Sequence, residues 1–353
     1  MDGRVGRVRL LKHGPEDGKR PISLALQGGG AHGAYQWGIL DRLLEYGELD
    51  IQSISGASAG AMNAMALVTG LLEGGPEGGR ARLERFWRAV SQGGSGGGVF
   101  GENFMTRVAT DWFTNSPAYT YLQTLQPTVS PYDFNPLNIN PLRDILKDQI
   151  DFKAIREQTQ IDIYIAATEV RTSEAKLFKS SELTVEHILA SACLPDVFQA
   201  VEIEGQPYWD GGYLANPPIW PLVECRPRDV LLLLLNPLKA KGTPRSTTDI
   251  MDRLNEIGFN AALVAELRTV ALVQDMIRRG RLKPEKGYET LRFHMIGADG
   301  QLSDLKLSSK ANTDWTFLQE LKKRGRLAAD EWLKTDLASV GEASSLDLST
   351  SFL

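Results

Sequence analysis

The chain has 353 residues, 42% hydrophobic and 24% charged, enough apolar material for a sizeable core in one large domain or two ordinary ones. A net charge of −5 excludes an electrostatic case for a nucleic-acid partner, which needs concentrated Lys and Arg. Two cysteines, Cys193 and Cys225, make neither a disulfide framework nor a zinc spacing and read as reduced, buried side chains.

Residues 1–20 are polar, lack the apolar stretch of a secretory signal and read as a flexible tail. ISLALQ (22–27) predicts a buried strand, followed by a helix with Tyr35, Ile39, Leu40, Leu43 and Leu44 on its apolar side. IQSIS (51–55) predicts a second short strand, after which ASAGAMNAMALVTGLL begins a helix of small residues. This opening predicts an α/β architecture with a largely parallel sheet covered on both faces. EGGPEGG (73–79) reads as a loop, 80–90 as a helix and SQGGSGGGVFG (91–101) as a flexible segment. Trp112, Phe113, Tyr119, Tyr121, Tyr132 and Phe134 then occur among several prolines. This insertion, about 91–150, reads either as a cap over a pocket or as an excursion packing its aromatics on the body.

IDIYIAATEV (161–170) and AKLFK (175–179) predict a pair of strands, TVEHILASACL (184–194) a helix, and AVEIEGQPYWDGG (200–212) a hairpin running into a glycine turn. The unbroken aliphatic run in DVLLLLLNP (229–237) predicts a fully buried strand. Its core, 231–235, is far too short to span a bilayer, so a soluble, cytoplasmic protein is expected. Residues 247–281 form a long helical pattern with a break expected near Gly258, 291–297 a last strand and 312–338 a helix. Ile250, Leu254, Ile257, Ala261, Val264, Leu267 and Ala271 recur at helical spacing, a stripe read as core packing, with a membrane-binding face as the alternative. No linker divides 21–340, which reads as one domain with the inserted cap, and 341–353 is expected to be a flexible tail.

Two glycine-rich motifs carry the chemistry. In LQGGGAHGAYQ, Gly28, Gly30 and Gly33 fit G-x-G-x-x-G between a strand and a helix, the pattern of a dinucleotide site. Such a site wants an acidic residue at the end of the second strand, yet that strand begins after Asp50 and ends in Ser55-Gly56. The three consecutive glycines instead suit an oxyanion, held by the backbone N–H groups of Gly28, Gly29 and Gly30. About thirty residues later, Gly56-Ala57-Ser58-Ala59-Gly60 is G-x-S-x-G at a predicted strand-to-helix turn. There a nucleophile sits strained, and small neighbours let the two backbone arms approach.

A serine nucleophile needs a base. The chain order Ser, Asp, His of α/β-hydrolases is available in Ser58, Asp210 and His294, but only one strand and one helix precede the elbow strand, and His294 lies mid-strand, where a core histidine is the commoner reading. Asp210 is the better candidate. In YWDGGYLANPPI it stands where a strand ends in the Gly211-Gly212 turn, and burial beside Ser58 would raise its pKa toward that of a general base.

Taken together, GGGAHG (28–33), GASAG (56–60) and DGG (210–212), with ASACLPDVFQAVEIEGQPYWDGGYLANPPI (190–219), resemble the patatin-like phospholipase family over about residues 21–235. The resemblance implies a three-layer α/β/α sandwich with a mostly parallel central sheet. It implies a Ser58–Asp210 dyad in place of a triad, an oxyanion hole at Gly28, Gly29 and Gly30, and support from Gly56, Gly60, Gly211 and Gly212. A lipid or acyl-ester substrate follows, with transient contact at a membrane surface and no cofactor or metal. Acyl transfer at the same site and a non-catalytic lipid-binding module are the alternatives. The family commonly has Arg or Lys where this chain has His32, and Asn216 reads as a brace for the aspartate loop.

Overall fold

Strand β1 (Arg20–Leu26) buries Ile22 through Leu26 without interruption, because it runs through the middle of a sheet covered on both faces. The computed structural model describes residues 18–93, 130–240, 242–284 and 290–353. The other strands are β2 (Leu49–Gly56), β3 (Asp162–Glu169), β4 (Glu174–Lys179), β5 (Val201–Ile203), β6 (Gln206–Asp210), β7 (Asp229–Leu233) and β8 (Arg292–Ile296). Their order is β5-β6-β3-β2-β1-β7-β8, with β4 paired to β3. β3, β2, β1, β7 and β8 are parallel, and β4, β5 and β6 join antiparallel.

The alternation of side chains along the strands builds two cores. Ile22, Leu24 and Leu26 of β1 and Leu231 and Leu233 of β7 face helices α1 (Gly33–Tyr46) and α2 (Ala59–Gln92). Short helices α3 (Leu142–Gln149), α4 (Phe152–Glu157) and α5 (Val185–Ser191) extend this side. Ala25, Val230 and Leu232 face the other way, toward Leu263, Leu267 and Ala271 of α6 (Thr247–Arg278). Helix α7 (Trp315–Thr335) returns to the first side and crosses α1 so closely that a Cβ on Gly325 would lie 2.0 Å from the carbonyl oxygen of Tyr35. The result is a three-layer α/β/α sandwich.

Several expectations change. The loop at 73–79 is a bend inside α2: Gly74 and Gly75 leave helical geometry, and Pro76 follows in the first turn of the resumed helix, where its missing N–H costs nothing. Helix α6 runs through Gly258 unbroken. Its apolar stripe is core only in its second half: Leu267 and Ala271 are buried, whereas Ile250, Leu254 and Ile257 are 41%, 58% and 51% exposed. Residues 341–353 are not a loose tail. Phe293 donates its N–H to Ser344 Oγ and accepts from Leu346 N, and Leu348 is buried at the start of α8 (Leu348–Phe352), packed on α6. Backbone pairing with β8 holds a polar sequence whose composition alone suggested fraying. Most of the expected cap, and the tail through residue 17, fall outside the described residues.

Gly325→Ala is expected to lower stability by about 1–3 kcal/mol through the α1–α7 clash, read as a drop in the urea midpoint. Gly258→Ala, where a Cβ meets nothing within 4 Å, should raise it by up to about 1 kcal/mol through helix propensity.

Candidate active site

One edge of β3 places the two principal residues. β4 occupies the other edge from Tyr164 to Glu169. β2 and β6 therefore share the remaining edge: Gly56 at the end of β2 pairs with Ile165, and Asp210 at the end of β6 pairs with Ala167. A parallel strand and an antiparallel strand thus end two β3 residues apart, delivering Ser58 and Asp210 to one spot. The ground beneath is small, formed by Ala57, Ala166 and Ala215.

Ser58 is the N-cap of α2, with φ 51° and ψ −122°. An N-cap serine ordinarily spends its oxygen on the helix's free N–H groups. Here it makes no such bond, and the hydroxyl stays available at the positive end of a helix. The turn is as tight as the sequence pattern predicts. A Cβ on Gly60 would stand 2.1 Å from the carbonyl oxygen of Leu26, and one on Gly56 would stand 2.9 Å from the carbonyl carbon of Gly60. The Ser58 N–H donates to the carbonyl oxygen and Oγ of Ser191, at 3.1 and 2.9 Å. Two residues on, the Cys193 carbonyl accepts from Asp210 N at 2.8 Å, so the segment 191–193 ties Ser58 to Asp210.

Asp210 is 1% exposed. Its Oδ1 accepts from Gly212 N at 2.7 Å, while Oδ2 is buried with no hydrogen-bond partner among the described residues. Burial raises its pKa to about 6, against the lowering influence of the Gly212 amide, the Ser58 hydroxyl and the charge of Lys310. Gly211 is pressed on β3, where a Cβ would lie 2.3 Å from the carbonyl oxygen of Ala166.

The glycine loop closes the site from the β1 side. A Cβ on Gly28 would be 2.7 Å from Ser58 Cβ, so no side chain fits between loop and serine. Gly28 is not a free donor, contrary to expectation: its N–H donates to Asn216 Oδ1 at 2.6 Å. The N–H groups of Gly29 and Gly30 have no protein acceptor among the described residues. Asn216 braces the loop as expected. Behind it lies a network that sequence reasoning missed. Gln27 Nε2 donates to the Asn216 carbonyl and Asn260 Oδ1, Gln27 Oε1 accepts from Leu235 N and Asn236 N, and Asn236 Nδ2 donates to the Gly28 carbonyl. Amides from three distant segments converge here without any sequence motif. Ser191, by contrast, lies in the stretch 190–219 that carries the family resemblance.

His32 does not carry charge. It is 4% exposed, its Nε2 pairs with Ser309 Oγ at 2.8 Å, and burial together with the charge of Lys310 lowers its pKa to about 3. His294 is not brought to the site. It is fully buried at the opposite end of the sheet, pairing through Nε2 with Asp229 Oδ1 and through Nδ1 with Ser345 Oγ, both at 3.0 Å. A Ser58–Asp210–His294 triad is thereby excluded. Among the described residues no cluster of His, Cys, Asp or Glu is arranged to hold a metal, and no helix is long and apolar enough to cross a membrane.

Residues 24–223 match the family model described as patatin-like phospholipase. Among curated proteins there is no significant match. Among solved structures, the chain is similar to VipD from Legionella pneumophila, at 15% identity and a TM-score of 0.42, over 91% of this chain and 68% of that one.

The backbone at Ser58 lies where only glycine is at ease. Ser58→Gly is therefore expected to stabilise the fold by about 1–3 kcal/mol, and Ser58→Ala, which keeps the Cβ, to leave stability nearly unchanged. Denaturant titration of the two variants beside the wild type checks this.

Proposed function

The chain belongs to the patatin-like phospholipase family, and so to the lipid ester hydrolases in general; from this premise we propose that it is a serine acyl hydrolase using Ser58 as nucleophile and Asp210 as its base. The observation that carries the reading is the conjunction of a strained, uncapped Ser58 with a buried carboxylate oxygen of Asp210 that is within the influence of the Ser58 hydroxyl and accepts no hydrogen bond within 3.5 Å among the described residues.

Asp210 accepts the Ser58 proton as Oγ attacks the ester carbonyl. The oxyanion that forms is held by the N–H groups of Gly29 and Gly30, while Gly28, committed to Asn216, keeps the loop close to the serine. Collapse of the intermediate expels the alcohol, which leaves with the proton from Asp210. Water, deprotonated by the same carboxylate, then releases the fatty acid and restores Ser58. A pKa of about 6 suits a base that must be ionised near neutrality yet still attract a proton. One well-placed oxyanion donor supplies about 3 kcal/mol of transition-state stabilisation. The substrate class is a carboxylic ester of a lipid.

A fluorophosphonate probe should add a single adduct by intact mass to the wild type and none to Ser58→Ala. Absence of an adduct on folded wild-type protein would overturn the reading. Asp210→Asn is expected to lower kcat by about 10²–10⁴-fold. In the wild type, kcat/KM should fall as pH drops through about 6, because the protonated carboxyl can no longer accept the serine proton. Appearance of acyl-acceptor product in place of free fatty acid would assign acyl transfer.

A further inference from the structure

We propose that Lys310 is a positioning residue for this reaction: its ammonium locks the glycine loop to the Asp210 turn and stands as a fixed positive charge behind the oxyanion site. The proposal rests on the Ser58–Asp210 reading above. Lys310 lies in a short turn, Leu307–Ala311, outside the stretch that the family model matches.

The contacts of Lys310 reach both halves of the site. Its Nζ donates to Asn236 Oδ1 and Asn255 Oδ1, each at 2.7 Å. Asn236 passes this on through Nδ2 to the Gly28 carbonyl at 3.2 Å. The main-chain carbonyl of Lys310 abuts Gly30, where a Cβ would come within 2.5 Å of it; with φ +58° at Gly30, this carbonyl sets the course of the loop. Nζ also stands 5.1 Å from the centre of the Phe259 ring. That ring packs on Gly212, with 2.7 Å to a built Cβ, and Gly212 N donates to Asp210 Oδ1. One side chain therefore bears on the loop that would hold the oxyanion and on the turn that aims the base.

The ammonium is held by neutral amides. Among the described residues no carboxylate reaches ion-pair distance of it, so the cost of burying the charge is offset by the two amide oxygens and the Phe259 ring. The charged groups around it are Glu256 and Asp252 of α6 and Asp210 of β6, while His32, with Asp304 beyond it, is neutral. Burial outweighs the carboxylates and lowers the Lys310 pKa to about 8. At neutral pH the residue is therefore still charged, and it helps keep Asp210 ionised.

The test is hydrolysis of p-nitrophenyl butyrate between about pH 5 and about pH 10 by wild type, Lys310→Met, Lys310→Arg and Asn255→Leu, with fluorophosphonate titration of active sites and a thermal melt for each. Lys310→Met should lower kcat per titrated site by at least about tenfold, with KM within about threefold, as for an interaction that strengthens in the transition state. Its acid limb should move to higher pH, because Asp210 has lost a neighbouring cation. The wild-type decline above about pH 8 should vanish in Lys310→Met and move upward in Lys310→Arg. Asn255→Leu should give a smaller loss of kcat in the same direction. Wild-type kcat with an unchanged pH profile in Lys310→Met would overturn the proposal. So would a loss explained wholly by fewer titratable sites or a lower melting point, with the profile intact. A wild type inert toward both ester and probe would overturn the dyad reading and this one with it.

Discussion

The site depends on the shared edge of β3. Because β4 fills one side of that strand from Tyr164 to Glu169, β2 and β6 must divide the other, and they end two residues apart. A strand pair is a register device: hydrogen bonding sets the position of each residue along its neighbour to within a fraction of a residue spacing. Two side chains 152 positions apart in the chain, at 58 and 210, are thus brought together by backbone pairing rather than by contacts of their own. The cost is local crowding, which explains why small residues collect there. Gly56, Gly60 and Gly211 each occupy a place where a Cβ would run into backbone.

A second constraint acts on the loop opposite. Gly28 to Gly30 have no side chains with which to anchor themselves, so the surrounding protein anchors them through amides. Asn216 takes the Gly28 N–H, Asn236 takes its carbonyl, and Gln27 holds both neighbouring segments. A buried polar network of this kind is stable only when its members are satisfied, and once satisfied it rigidifies the segment it holds. Rigidity suits the oxyanion site proposed for this loop, since donors that must reorganise during a reaction lose much of their advantage.

Burial also sorts the ionisable groups by position. At the site it raises the Asp210 pKa to about 6 and lowers those of His32 and Lys310 to about 3 and about 8, leaving one weakly held proton site, one neutral imidazole and one cation. At the far end of the sheet a chemically similar set behaves differently. Against the upward push of burial, hydrogen bonds from His294 and Arg292 lower the Asp229 pKa to about 2. That carboxylate is fully occupied, accepting also from the Gly341 amide, and it secures the C-terminal segment to β7 and β8. The difference lies in the free lone pairs: among the described residues Asp210 Oδ2 accepts no hydrogen bond within 3.5 Å.

Much was legible in the sequence where the signal is local. The predicted strands all exist, because alternating or unbroken apolar runs bounded by glycine report burial directly. G-x-S-x-G announced a turn too tight for side chains, and Ser58 adopts a φ of 51° there. Where composition was the guide, it misled. The polar residues 341–353 are held by pairing with β8, the glycines at 73–79 bend a helix instead of ending it, and the first half of the α6 stripe faces outward. The commitment of the Gly28 N–H to Asn216, the neutrality of His32 and the reach of Lys310 into the site were likewise invisible. Sequence by itself determined the elements and the candidate chemistry, because strand and turn preferences act over a few residues. Only the tertiary structure decided which N–H groups stay free, which carboxylate is desolvated and which cation stands nearby. Those depend on segments hundreds of residues apart competing for the same few hydrogen bonds.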